Sequence, residues 1–258
     1  MRIIRYVKGD SEARYGWVLD DKIGEIDGSP YGEFQREEAD IPIDAVKLLA
    51  PVTPSKIVCI GRNYAAHVEE HDAQIPESPL VFLKPPSAII GPGEEILLPP
   101  QSNQVEHEAE LAVVIGKPGK WIQAEQANEH IFGYTIANDV TARDLQRRDG
   151  QWTRGKGFDT FCPVGPWIET EFDPSDAVIT CRVNEGIRQF ASTRDMVFTV
   201  AQLMVFVSSV MKLETGDLLL TGTPAGVGAL QNGDSVEIEI EGLGNLKNTV
   251  KEERPIKG

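Results

Sequence analysis

VEHEAELAVVIG, residues 105–116, passes from three acidic side chains at alternate positions into five apolar ones and stops at a glycine. The β-branched content of the apolar run and the terminal Gly116 predict a buried strand. Side chains two apart on a strand share a face, so Glu108 and Glu110 project together. Two carboxylates side by side at a buried strand end repel each other and resist desolvation. A hard divalent cation such as Mg2+ or Ca2+ relieves both difficulties, because such ions take oxygen ligands. The alternative is an acidic strand end open to water, with Glu106 as one more solvated charge.

Working outward, residues 56–61 (KIVCIG) predict a second buried strand, followed by a short helical or lid-like segment over residues 62–71 that stops before Pro76. Residues 79–100 carry six prolines with Gly91 and Gly93, which restricts them to irregular chain or short edge strands. Residues 132–138 (FGYTIAN) predict a strand ending at Asp139, and residues 144–165, polar and glycine-punctuated, predict a loop. Strands are expected over 178–184, 217–221 and 235–241, and an amphipathic helix over 192–213 with Ser192 as its N-cap. Residues 1–50 form short strand-like runs around Ile3, Ile4, Tyr6, Tyr15, Trp17 and Val18, with one or two helical turns over 44–49. The prolines of residues 50–54 mark a boundary. The expected architecture is α+β and β-rich, with a small N-terminal β domain over 1–52 and a larger unit over 53–258. There is no βαβ rhythm of a doubly wound sheet.

Composition narrows the function. A formal net charge of −15 over 258 residues excludes the basic footprint of a nucleic-acid or anionic-membrane surface. Cys59, Cys162 and Cys181 are widely spaced with no CxxC pair, as expected of reduced thiols in a cytoplasmic protein. The first ten residues, MRIIRYVKGD, lack the apolar core of a signal peptide, and the apolar stretch 200–211 is too short to span a bilayer.

Several side chains could then carry chemistry. Asp139, at a predicted strand exit, can join Glu108 and Glu110 in one oxygen-rich metal site, although Asn-Asp is also ordinary turn chemistry. His67 and Glu70 are neighbours on a helical face, and a carboxylate beside an imidazole suits a general base. The same segment, His67-Val68-Glu69-Glu70-His71, also matches the H-x-x-E-H pattern of a zinc metallopeptidase, which demands a long stable helix and a third ligand. Lys156, in an expected polar loop, is either an oxyanion or carboxylate contact or an ordinary exposed lysine. The glycine-rich turn after residue 220, TGTPAGVG, offers backbone N–H groups and hydroxyls to a carboxylate or phosphate, and it is not a P-loop.

Taken together, GRNYAAHVEEH, LVFLKPPSAIIGPGEEI, EHEAELAVVIGK, GYTIANDVTARDLQ, KGFDTFCPVGPWI and LLLTGTPAGVG resemble, in content and order, the fumarylacetoacetate hydrolase family over residues 56–250. The resemblance implies a mixed β-sandwich roll, a homodimer, and a cytoplasmic enzyme acting on a small 2-oxo acid. It implies Mg2+ or Mn2+, with Ca2+ as a crystallographic substitute, on Glu108, Glu110 and Asp139. It further implies catalytic roles for His67, Glu70 and Lys156 and substrate contacts at Arg143, Gln146 and Thr223. One departure is a short spacing between Asp139 and Lys156. The implied reaction is C–C hydrolysis of an acylpyruvate through an enolate. The alternatives are isomerisation of 2-hydroxyhepta-2,4-diene-1,7-dioate, decarboxylation of 5-oxopent-3-ene-1,2,5-tricarboxylate in aromatic catabolism, or decarboxylation of oxaloacetate.

Overall fold

The computed structural model describes residues 1–70 and 72–254. Its centre is a 13-stranded mixed sheet. From one edge the strands run Leu80–Lys84, Ile57–Gly61, Leu218–Leu220, Ala109–Ile115, Ile131–Asn138 and Cys162–Glu169. The same sheet continues into the N-terminal strands Arg2–Val7, Arg14–Leu19, Lys22–Gly28 and Phe34–Arg36. The small N-terminal β domain is thus hydrogen-bonded to the larger unit, with Arg2 opposite Glu169 and Ile3 opposite Ile168.

Ala109–Ile115 is buried at every position because both of its faces are covered. Leu111, Val113 and Ile115 pack with Ile179, Cys181, Ile238 and Leu246 of a second, five-stranded sheet. Ala112 and Val114, on the opposite face, pack with Ile3, Ala50, Val52 and Ile168. The second sheet has the order Glu95–Leu98, Gly244–Glu252, Ser235–Ile240, Val178–Val183, Gly186–Ser192. A three-stranded sheet of Thr141–Ala142, Val105–His107 and Gly228–Ala229 closes one end. The architecture is the expected β-rich one, and among the described residues no helix is long and apolar enough to cross a membrane. All three thiols are buried and free.

Four local expectations need correction. Residues 105–116 form two strands, Val105–His107 and Ala109–Ile115, broken at Glu108. The break is held by Asn138 Oδ1, which accepts from the Glu108 N–H at 2.9 Å, and by Glu108 O, which accepts from the Asp139 N–H at 2.9 Å. Residues 144–165 hold two short helices, Arg143–Asp149 and Thr153–Lys156, and the start of the strand Cys162–Glu169. In the first helix, Asp144 lies in the opening turn and Arg147 and Arg148 in the last, which suits the helix dipole despite the polar composition.

Ser192 caps only the single turn Thr193–Asp195. The helix proper is Val200–Val210, with a capping box between Thr199 and Gln202. The helical turns expected over 44–49 are one 3-10 turn, Ile43–Ala45, and then the strand Lys47–Leu49, which pairs with Arg2–Val7.

Candidate active site

The break at Glu108 places its side chain, Glu110 and Asp139 together: one carboxylate oxygen from each lies within 4.8 Å of the others, and all three residues are buried. Strand alternation aims Glu110 the same way as Glu108, and Asp139 follows the end of the paired strand Ile131–Asn138. The expected acidic centre is therefore assembled, whereas the water-facing strand end is not. Glu106 is not a solvated charge either; it is 6% exposed and accepts from Arg143 Nε at 2.7 Å.

Three cations surround these acids. Lys156 Nζ donates to Glu108 Oε2 at 2.8 Å and Asp139 Oδ2 at 2.6 Å. Arg143 binds Glu106 through Nε and Glu108 through Nη2, and its Nη1 donates to Gln146 Oε1 at 2.6 Å. Lys84 Nζ donates to Asp139 Oδ1 at 2.7 Å and to the Val140 carbonyl at 3.0 Å.

Lys156 is thus buried rather than exposed on a loop. Its helix lies directly on the backbone of the preceding one, where a Cβ on Gly155 would come within 2.9 Å of Gln146 N. The short spacing from Asp139 is spanned by these two packed helices.

Burial alone would raise the Glu108 carboxyl, but Lys156 and Arg143 outweigh it and hold the group well below the usual carboxylate range. Burial would lower the Lys156 ammonium, but Asp139 and Glu108 outweigh it and push it up. Glu110 has no such partner. Burial, then Asp139 and Glu108, push its carboxyl far up, and the nearby Lys156 charge and the Gly222 N–H, which donates to it at 2.7 Å, offset this only in part. Gly222 must be glycine, since its φ is +98° and a Cβ would meet Asn63 Cβ at 2.7 Å. Four acids against three cations leave Glu110 without an ion pair among the described residues, and its ionisation as a ligand would give the centre a surplus negative charge. A buried all-oxygen donor set with surplus negative charge fits Mg2+ or Mn2+.

The lid-like segment is the helix Ala65–Glu70. His67 is buried, with Nδ1 3.2 Å from Glu70 Oε2, and Glu70 Oε1 accepts from the Gly226 N–H at 3.1 Å. The dyad is therefore tied to the glycine-rich turn. Burial lowers the His67 imidazole, with Glu108 and Glu70 opposing in part. His71 lies outside the described residues. Among the described residues, the six-residue helix and the all-carboxylate cluster supply neither the frame nor the ligand set of the zinc peptidase pattern.

One cavity of about 510 Å³ brings His67, Glu70, Glu108, Glu110, Arg143, Gln146, Lys156 and Thr223 together. Asp139 joins through its contact with Lys156. Arg62 and Arg147 also line it, and neither has an ion-pair partner among the described residues.

Sequence reasoning missed Lys84, Asn138 and Arg62. A lone lysine closing the apolar strand Leu80–Lys84 is the signal that marks Lys84. Lys84→Met leaves one Asp139 oxygen without its cation. It is expected to destabilise the protein by about 3 kcal/mol, the lower end for breaking a buried pair, as read by urea unfolding. A loss below about 0.5 kcal/mol, the range of a surface change, would contradict the pairing.

The sequence profile described as fumarylacetoacetate (FAA) hydrolase C-terminal matches residues 56–251, and one described as Rv2993c-like, N-terminal, matches residues 1–51. The mitochondrial oxaloacetate tautomerase FAHD2A of Bos taurus is 48% identical over 223 residues, covering 81% of this chain and 71% of its own length. The structure of 5-carboxymethyl-2-hydroxymuconate delta-isomerase from Mycobacterium smegmatis is 45% identical with a TM-score of 0.91, covering 98% of this chain and 100% of that one. That of maleylpyruvate hydrolase from Sphingobium sp. SYK-6, in complex with manganese(II) and pyruvate, is 32% identical with a TM-score of 0.81 and covers the same shares. With the profile spanning most of the chain and these relatives aligned along four-fifths of it or more, the chain belongs to the fumarylacetoacetate hydrolase family.

Proposed function

We propose that this protein is a divalent-cation-dependent enzyme that moves a proton between the keto and enol forms of a 2-oxo dicarboxylic acid. The observation that carries the reading is His67, buried, oriented by Glu70 and sharing one cavity with the carboxylate centre. The similarity to an oxaloacetate tautomerase and to a muconate isomerase supports it. Mg2+ or Mn2+ on Glu108, Glu110 and Asp139 would supply the Lewis acidity that favours the enol form of a 2-oxo acid.

The side chains do the rest. With the Glu70 carboxylate accepting at Nδ1, that nitrogen carries the proton and Nε2 is the basic atom. Nε2 takes the proton from the carbon beside the 2-oxo group and returns it. Burial keeps the ring neutral, and so ready to accept, near pH 7. Lys156 holds positive charge where negative charge develops on the substrate oxygen. Gln146, its carbonyl taken by Arg143, offers its NH2 group to the substrate. The turn around Thr223 receives the carboxylate next to the 2-oxo group. Arg62 and Arg147 attract the distal carboxylate to a chain whose net charge of −15 otherwise repels anions. The cytoplasmic homodimer belongs to the same proposal, supported by the family resemblance.

Hydrolysis of an acylpyruvate is the second reading. The cavity, about 510 Å³, exceeds what a four-carbon acid needs and leaves room for a water beside His67. The similarity to a maleylpyruvate hydrolase favours it too. The two are separated by metal-stripped enzyme with and without added Mn2+, following loss of enol-oxaloacetate, CO2 release, and acetate from acetylpyruvate. Mn2+-dependent enol loss without acetate supports the proton-transfer reading. Acetate release at a comparable rate moves the function to hydrolysis, CO2 alone moves it to decarboxylation, and silence in all three overturns the 2-oxo-acid reading.

A further inference from the structure

Gln189 lies on the strand Gly186–Ser192 of the five-stranded sheet, yet its side chain is fully buried against the residues that flank the carboxylate centre. Its amide makes four hydrogen bonds. Oε1 accepts from the Ala109 N–H at 3.0 Å and lies 3.1 Å from His107 Nδ1. Nε2 donates to the Pro224 carbonyl at 2.8 Å and to Thr223 Oγ1 at 2.7 Å.

The orientation of the amide is not a free choice. Ala109 N–H can only donate and the Pro224 carbonyl can only accept, so the oxygen and nitrogen ends are each assigned by an obligate partner. His107 Nδ1, which Cys181 Sγ also approaches at 3.4 Å, then donates to Oε1, the nearer and acceptor-only partner. Nε2 of the same ring is buried and has no hydrogen-bond partner among the described residues.

The same logic reaches Thr223. Its hydroxyl sits 2.9 Å from the Ala109 carbonyl, which can only accept, so the single hydroxyl proton points there. One lone pair of Oγ1 takes the Gln189 amide proton. The hydroxyl has no proton left for a carboxylate in the cavity. The Thr223 backbone N–H, by contrast, donates to no protein acceptor among the described residues.

We infer that Gln189 is the positioning residue of the substrate-carboxylate anchor: it locks the Thr223 hydroxyl from the neighbouring sheet, so that the turn receives the substrate carboxylate through its main-chain N–H. This rests on the reading of the site as one for 2-oxo acids. Ala109, between Glu108 and Glu110, is bonded to Gln189 through its N–H and to Thr223 through its carbonyl, so one amide aligns the anchor with the carboxylate centre.

The test is Gln189→Glu, which keeps the shape and the acceptor for Ala109 but sets a carboxylate oxygen against the Pro224 carbonyl and Thr223. Pyruvate and Mn2+ binding are measured by calorimetry alongside turnover. The dissociation constant for pyruvate on the Mn2+-loaded protein and the KM for oxaloacetate are expected to rise about tenfold or more, the scale of a lost buried hydrogen bond. Mn2+ affinity and kcat are expected to stay within about threefold, as for an interaction that binds ground and transition states alike. Unchanged pyruvate binding, or Mn2+ affinity falling in step with it, overturns the inference. Should the Glu variant fail to fold, Gln189→Met preserves the volume and is held to the same readouts. Failure of the 2-oxo-acid reading itself gives a different signature, since the wild-type Mn2+ protein would then not bind pyruvate at all.

Discussion

Glu110→Gln is expected to weaken Mn2+ binding by at least about 100-fold, the effect of losing one charged ligand of a buried centre, while the metal-free protein melts no lower than wild type. Glu110 is the one ligand with no basic side chain upon it, so removing its charge strands no cation. Its amide oxygen can still accept from Gly222.

The sign of the stability effect follows from linkage. A carboxyl pushed up on folding binds protons more tightly in the native state. It therefore makes folding less favourable as pH rises above the ordinary value of 4.5. An amide removes that penalty at pH 7. Calorimetric titration and thermal melts in chelator check both halves, and wild-type Mn2+ affinity would remove Glu110 from the ligand set. Glu108→Ala is a poorer probe, because Lys156 and Arg143 would lose their shared partner in a buried site.

His67→Ala is expected to lower kcat for enol–keto exchange by about 10²–10⁴-fold, the range for a positioned general base, with Mn2+ affinity unchanged. Loss of less than about tenfold would reassign the base. The pH profile carries a second check. His67 must be unprotonated to act, and burial lowers its affinity for protons despite Glu108 and Glu70. The acid limb of kcat/KM is therefore expected below the ordinary histidine value of 6.5. Glu70→Gln removes a hydrogen bond that favours the imidazolium, so it should shift that limb further down while lowering the rate through loss of orientation. An upward shift would contradict the dyad.

Much of this site was legible because its chemistry is local in the chain. Glu108 and Glu110 sit two apart on a strand, His67 and Glu70 three apart on a helix, and Asp139 at a strand exit. Each pattern is a periodicity that sequence preserves. The homologous blocks supplied Lys156, Arg143, Gln146 and Thr223, and the structure gathers all four into the same cavity. What escaped was non-local. Gln189 looks like any polar residue of a strand facing water, and only the packing of one sheet over another buries it 80 positions from Ala109. The helices Arg143–Asp149 and Thr153–Lys156 escaped for a related reason. Their stability comes from the ion pairs of Arg143 and Lys156 and from packing on each other, not from an apolar stripe.

The junction at Ile3 and Ile168 has a consequence for what counts as a unit of this protein. Two family profiles meet in the chain between residues 51 and 56. Its hydrogen-bond ladder runs through that seam without interruption, and Ala50, Val52 and Ile3 share a core with Val114. Cutting at the seam would uncover the apolar face of Val114 and open Ile168 and Glu169 as a raw strand edge, the kind of surface on which chains aggregate. The boundary between the two profiles is therefore not a boundary in the hydrogen-bond ladder or in the core.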